Sequence, residues 1–384
     1  MSRKVLFCAT VDYHFRAFHL PYLKWFKDQG FEVHVAASGN IELPYVDAKF
    51  DIPIQRSPLH RTNLDAYVAL KSILDENKYD IIHCHTPMGG VLARLAARSA
   101  RKQGTKVIYT AHGFHFCQGA PLFHWLVYYP LEKFLSYFTD CLITINEEDY
   151  LLARKRRFRA NQIEYVHGVG VNTTRFQQIN ELHRAERKVS MGYQPADILL
   201  FYAAEFNQNK NQQQLIRALA HIRNEVPHVK LLLAGEGALQ VQCQELAKEL
   251  QVAQQVDFLG YRQDIDHLLP MCDIAVASSL REGLPVNIME AMACGLPIVA
   301  SDNRGHRELV HDDNNGWLTS PHDHIRMAEK LLLLAGDKEL RTQLGSNGRQ
   351  MVEAKYAIEQ VLHQKSAIYS RFMDEKVEVM WAMQ

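Results

Sequence analysis

Short apolar runs alternate with helical or polar stretches along almost the whole chain, and this rhythm leaves few folds open. In the first half the runs cover 5–10, 31–38, 81–85, 106–112, 141–146 and 163–170. In the second half they cover 198–204, 229–237, 256–261, 274–279 and 297–301. Most are continuously apolar rather than alternating, which marks strands buried on both faces of a parallel sheet. Between them lie helical patterns such as the stripe Leu215, Leu219, Ile222 and Val226, spaced for one face of a helix.

The polar stretch 173–196 interrupts the rhythm and is the best place for a domain boundary. A chain of 384 residues exceeds one comfortable core. The expected architecture is therefore α/β, with two doubly wound Rossmann-like domains facing a central cleft, at 1–178 and 179–363. A last helix at 364–384 returns to the first domain, with Ile358, Val361, Leu362, Ile368 and Phe372 as the apolar positions of its region.

Lys plus Arg and Asp plus Glu number 43 each, so no global field favours nucleic acid or an acidic partner. Seven cysteines stand at 8, 84, 117, 141, 243, 272 and 294 with no CxxC pair, which suits buried thiols in a reducing compartment. The N-terminal apolar stretch is too short for a signal peptide. The run at 122–131 falls well short of the roughly 20 residues of a spanning helix. The expected location is cytoplasmic, with peripheral attachment to the inner face of the cell membrane.

One run carries most of the chemistry: Glu282 and Glu290 stand eight positions apart in REGLPVNIMEAMACGLPIVAS. Pro285 suits the first turn of a helix and Gly295 the left-handed residue that ends it. A helix N-terminus at the edge of a parallel sheet is an anion site. Carboxylates beside it would repel phosphate and instead accept hydrogen bonds from hydroxyls. The ligand so described is phosphorylated and rich in hydroxyls, such as a nucleotide sugar.

VIYTAHGFHF, VHGVGVNTTRF, LLLAGEG, FLGYRQDI, the glutamate pair, DNRGHRELV and NNGWL follow one another in an order that resembles retaining GT-B glycosyltransferases of family 4. The likeness spans nearly the whole chain and is nearest to the bacterial exopolysaccharide (EpsD-like) and PglA-like members. It implies that Glu282 contacts the donor sugar and Glu290 the ribose, with the backbone N–H groups of Gly283 and Leu284 at the diphosphate. Lys210 matches a diphosphate-binding lysine, and Gly235 and Arg262 fall in donor-side motifs. Glu205 stands where the family commonly has arginine, which removes a bidentate clamp. It could instead orient Lys210 through an ion pair, leaving Arg262 or Arg281 to share the neutralisation. His112 is implied at the reacting centre with Lys210 and Glu282. The turn Thr10–Val11–Asp12 replaces a Gly-Gly pair of many relatives, and His14, Arg16 and His19 beyond it are candidates for the acceptor in the first, acceptor-side domain. His83 and His85 share one face of a strand, but no third ligand stands at metal spacing. The resemblance implies a reaction without metal or other cofactor.

Segment 114–138 is rich in aromatics and ARKRRFR at 153–159 is compactly basic, a combination suited to anionic lipid. The expected function is transfer of a sugar from a UDP-sugar to a polyprenyl-diphosphate-linked glycan in exopolysaccharide or surface polysaccharide synthesis. The alternatives are a nucleotide-sugar epimerase of similar fold and a non-catalytic nucleotide-sugar-binding subunit. A glycoside hydrolase needs facing carboxylates, and a dinucleotide enzyme needs a G-x-G-x-x-G turn that the first strand lacks.

Overall fold

The computed structural model describes residues 2–381, with side chains through residue 373. The chain divides into two compact units. One holds the residues up to Gly170 together with those from Glu359 onward; the other is Val171–Ile358.

The first unit is built on β1 (Lys4–Val11), β2 (Glu32–Ser38), β3 (Ala48–Asp51), β4 (Ile81–His85), β5 (Lys106–Ala111), β6 (Cys141–Thr144) and β7 (Gln162–Tyr165). They pair in parallel in the order β3-β2-β1-β4-β5-β6-β7. Side chains alternate across a strand, so Leu6 and Cys8 enter one core while Val5, Phe7 and Ala9 enter the other. The helix Ile358–Trp381 covers the second face, burying Val361, Ile368, Tyr369 and Phe372 in that core. Residues 382–384 of the expected terminal helix lie outside the described residues.

The second unit carries β8 (Ile198–Ala203), β9 (Val229–Ala234), β10 (Val256–Gly260), β11 (Ile274–Ala277), β12 (Ile298–Ser301) and β13 (Gly316–Thr319). Their order is β10-β9-β8-β11-β12-β13, again all parallel. In each sheet the order reverses once, between β1 and β4 and between β8 and β11. Loops leaving the strand C-termini at such a point part to form a crevice, the usual ligand position in open α/β sheets.

The junctions differ from the expected ones at 178/179 and 363/364. Val171 bridges to Ala357, and its N–H bonds to Tyr356 O at 2.9 Å. Arg175 pairs with Asp266 at 2.9 Å. These contacts draw 171–178 into the second unit, while Val361 and the following stripe belong to the first. Strands β3 and β13 carry no long apolar run and escape the sequence pattern; each is a four-residue edge strand. The run at 163–170 is strand only through Tyr165.

All seven cysteines are buried. Among the described residues no helix is long and apolar enough to cross a membrane.

Candidate functional site

In the second unit the loop after β8 carries Glu205 to Lys210 and the loop after β11 carries Arg281 to Leu284, one on each side of the switch point. They are knitted together. Leu280 N donates to Asn209 O at 2.7 Å, Ser278 Oγ to Lys210 O at 2.7 Å, and Asn209 Nδ2 to Arg281 O at 3.0 Å. Tyr202 OH and Ser279 Oγ, at 2.7 Å, close the base beneath them. Lys210 Nζ lies 2.5 Å from Glu282 Oε1, in a partly buried ion pair. As an ion-pair partner of Lys210 the sequence also leaves Glu205 open. That side chain is exposed and accepts from Asn207 Nδ2 at 3.1 Å instead, because the loop turns it away from the sheet.

The helix Val286–Ala293 starts immediately after this pair, with Pro285 just ahead of its first turn rather than within it. Its leading N–H groups have no intrahelical acceptor; Ile288 N takes the Asn287 side chain at 3.0 Å. Gly295 ends the helix at φ +72°, as expected. One turn in, Glu290 is largely enclosed. Burial raises its carboxyl to about 7, Arg175 acting against that rise and Asp266 adding to it. Glu290 and Asn287 share a small recess with Ala203 and Ile265, and Asn287 Nδ2 is tied to Ala203 O at 3.1 Å.

Beyond β9, Gly235 at φ +138° packs against Ala204 O, where any side chain would collide. It lines a cavity with Glu205, Tyr261 and Arg262. Arg262 is engaged by Asp264 through two bonds of 2.5 and 2.8 Å, so its charge is already shared. Three residues of DNRGHRELV complete the crevice, although the motif order alone does not single them out. Arg304 Nε donates to Glu282 O at 3.1 Å, and Asn303 Nδ2 donates to Ser279 O at 2.8 Å. His306, fully buried, meets Ser301 O through Nδ1 at 2.6 Å and leaves Nε2 without a partner among the described residues. Burial takes its imidazole down to about 4. The sequence signal for all three is the motif's polarity at the end of an apolar strand.

In the first unit the switch point gathers histidines. His14 Nε2 and His19 Nε2 stand 3.0 Å apart, and His85 Nδ1 and His112 Nε2 stand 3.2 Å apart. One nitrogen from each of the four lies within 4.8 Å of the others, a set that could hold a transition-metal ion. Sequence spacing misses it because the four come from three separate segments. His83 lies outside the set, satisfied by Thr110 Oγ1 at 2.8 Å and Tyr369 OH at 2.9 Å. Burial holds His19, His83, His85 and His112 well below the usual imidazole range, and His14 at about 4.

His19 is sealed at 1% exposure, so it cannot touch a ligand at the surface as expected. Arg16 is exposed, and His14 is partly open to a cavity of about 510 Å3 lined also by Thr10, Arg56, Thr86, Met88 and Tyr128. The Thr10–Val11–Asp12 turn has a structural explanation. Asp12 is buried and receives Lys49 Nζ at 2.6 Å and Ile41 N at 2.7 Å, bracing the first turn with a charge instead of glycines.

The aromatic segment divides between core and surface. Phe114, Phe116 and Cys117 are buried, whereas Leu122, Phe123, Leu126, Val127, Leu131 and Phe134 are exposed along the helix Leu122–Leu135. In the basic run only Phe158 and Ala153 are buried. Arg156 lies over Trp125 and Tyr129 at 5.9 and 5.8 Å, so the exposed cations border the aromatic helix.

Two family models match the chain: "Glycosyl transferase 4-like" over residues 4–146 and "Glycosyl transferases group 1" over 184–351. A protein of Bacillus subtilis assigned as the glycosyltransferase EpsD is 50% identical over 97% of this chain and 98% of its own. The UDP-Gal:alpha-D-GlcNAc-diphosphoundecaprenol alpha-1,3-galactosyltransferase of Escherichia coli is 28% identical over 72% of each chain. Among solved structures, Anabaena HepE in complex with UDP-glucose superposes with a TM-score of 0.79 at 20% identity, covering 96% of this chain and 99% of that one.

Proposed function

The chain belongs to the group 1, family 4-like glycosyltransferases of GT-B fold, and from that premise we propose that it transfers a sugar with retention from a UDP-sugar to a polyprenyl-diphosphate-linked glycan in surface polysaccharide assembly. One observation carries the reading: Lys210 and Glu282 form an ion pair at the switch point, beside the N-terminus of the helix that holds Glu290. The pair keeps a cation ready without leaving it bare. When a diphosphate arrives, Lys210 turns to it and Glu282 is released to accept hydrogen bonds from the sugar hydroxyls. The N–H groups of Gly283 and Leu284, with the dipole of the helix, stabilise charge on the leaving diphosphate. Glu290 takes the ribose hydroxyls.

No carboxylate is assigned as nucleophile. Attack proceeds on the face that the leaving group departs, with the departing phosphate taking the acceptor proton. Catalysis then rests on positioning and on stabilising the leaving group, with His112 at the donor sugar as the family resemblance implies. The reaction is proposed to need no metal or cofactor. The acceptor is assigned to the cavity beside His14 and Arg56, with Arg16 near its lipid-linked phosphate. The exposed face of the helix Leu122–Leu135 and its neighbouring cations suit attachment to the inner membrane surface. The UDP preference and the lipid-linked acceptor find support in the activity for which the Escherichia coli relative is named.

The test is transfer of labelled sugar from UDP-sugars to a panel of polyprenyl-diphosphate-linked saccharides, with released UDP measured in parallel. Acceptor-dependent UDP release is expected. Lys210→Ala should lower turnover at saturating donor by about a hundredfold, the scale of losing one charge-stabilising group. Interconversion of donor sugars without acceptor would replace this reading with an epimerase. Tight donor binding with no turnover on any acceptor would leave a binding subunit.

A further inference from the structure

A second cavity, of about 570 Å3, opens in the Val171–Ile358 unit at the opposite edge of the sheet, where strands begin rather than end. Ile198 starts β8, Asp273 directly precedes β11 and Pro297 directly precedes β12, and all three line it. The donor loops leave from the other ends of the same strands, so the two sites are separate.

The lining carries four cations, Arg184, Lys188, Lys338 and Arg341, against two carboxylates, Glu181 and Asp273. Asp273 is already committed, receiving Lys188 Nζ at 2.7 Å and Leu199 N at 2.9 Å. Glu181 pairs with Lys338 at 3.0 Å. Arg184 reaches Asp273 and Glu181 only at 3.7 Å, beyond hydrogen-bond range, and its Nε is buried without a partner among the described residues. Arg341 donates to the carbonyls of Leu334 and Ala335, at 2.5 and 3.1 Å. Buried N–H groups without acceptors are rare in folded proteins and ask for an explanation. The helix Lys338–Met351 also begins here, its first turns contributing Lys338, Arg341 and Thr342 to the wall. Its N-terminus is capped by Asp337, which accepts from Leu340 N at 2.8 Å, so the excess of cations rests on the side chains.

We propose that this cavity is a second ligand site, specific for a small phosphate-bearing polyanion such as a diphosphate or a phosphate ester. The orphan Arg184 N–H and the surplus of two cations call for the same complement: several negative oxygens on one compact ligand. Gly295, Leu296 and Pro297 in the wall follow directly on the helix that carries Glu290. A ligand held here therefore abuts the trailing end of the donor-side helix.

The experiment uses the full chain with UDP present in saturating amount, titrated with inorganic pyrophosphate against sodium chloride of matched ionic strength. Calorimetry and thermal unfolding supply the readouts. Saturable binding is expected, weakened about tenfold or more by Arg184→Gln, as for loss of a hydrogen bond to a charged group. Lys338→Gln, at an exposed position that does not threaten the fold, should weaken it less but measurably, and Lys210→Ala should leave it unchanged. No binding beyond the chloride control overturns the site. So does binding that survives both cavity variants, or binding that is lost only in Lys210→Ala, which would put pyrophosphate in the donor loops instead.

Discussion

Glu290 is the residue in which the donor site's electrostatics are most exposed to measurement. Its carboxyl is neutral below about 7 and charged above, because burial outweighs the nearby Arg175. A group whose folded pKa is raised stabilises the protein below its unfolded value, and that contribution fades as pH climbs through about 7. In the binding mode proposed above the preference reverses: ribose hydroxyls donate best to the carboxylate, so binding would favour the charged form and release a proton. UDP affinity should therefore rise between pH 6 and 8 by up to about tenfold, the gain that accompanies release of one proton over a pH step of about one. Calorimetry in buffers of different ionisation enthalpy should detect the proton. Glu290→Gln should flatten the profile; an unaltered pH dependence in that variant would remove Glu290 from the ribose. Glu205 is a simpler case. It stands exposed beside Asn207, so water solvates its charge and its cost near a diphosphate stays small.

At the scale of elements, the helix Ile358–Trp381 contains an anomaly. Its buried stripe runs Val361, Lys365, Ile368, Tyr369 and Phe372, with a lysine in the midst of the apolar positions. Lys365 Nζ has no hydrogen-bond partner among the described residues, and it lies over the Tyr22 ring at 4.2 Å. Burial lowers the amine to about 7. Between that value and the unfolded one the unfolded chain binds the extra proton, so stability rises with pH above 7 until the unfolded lysine also titrates. A cation–π contact is worth about 0.5–2 kcal/mol, and an unsatisfied buried charged group costs upward of about 1–3 kcal/mol, so the cost wins. Lys365→Met should raise stability at pH 7 by about 1 kcal/mol and by less at pH 9.5. Thermal unfolding at the two pH values checks this, and a lower melting temperature at pH 7 would show that Lys365 is held by a contact stronger than the Tyr22 ring.

That lysine also shows where sequence reading ends. Strands buried on both faces announce themselves by continuous apolar runs, and their C-terminal loops then locate Lys210, Glu282 and Glu290 in order. Edge strands β3 and β13 have one neighbour each and need no such run. Pairings between distant segments, such as Lys210 with Glu282 rather than Glu205, depend on which way a loop turns. The histidine cluster draws on residues nearly a hundred positions apart. Composition marks none of these, because each is made by the sheet order.

Across the whole molecule the formal charge is zero, so the proposed attraction to a membrane has to be local. Its proposed source is the exposed Arg154, Lys155, Arg156, Arg157 and Arg159 beside the apolar helix Leu122–Leu135. A neutral protein with a basic edge should bind vesicles containing phosphatidylglycerol and ignore those of phosphatidylcholine alone. Replacing Arg154, Lys155 and Arg157 by Gln should weaken binding by about 3 kcal/mol, near 1 kcal/mol for each cation at the surface. Leu126→Gln should weaken it further without changing its salt dependence. Cosedimentation that treats both lipid compositions alike would dismiss the membrane face.

The last helix has one further consequence, for the order in which the protein is made. A ribosome delivers the seven strands of the first sheet early, but residues 361–372, which cover one of its faces, come after the entire second unit. Domains synthesised first generally fold first. Here Phe15, Tyr22, Leu23 and Phe26 cover part of that face early, and the rest waits for Val361, Ile368, Tyr369 and Phe372. The second unit, continuous from Val171 to Ile358, can complete its core sooner. The protein is therefore finished from the middle outward, and its opening half remains the longest in need of protection.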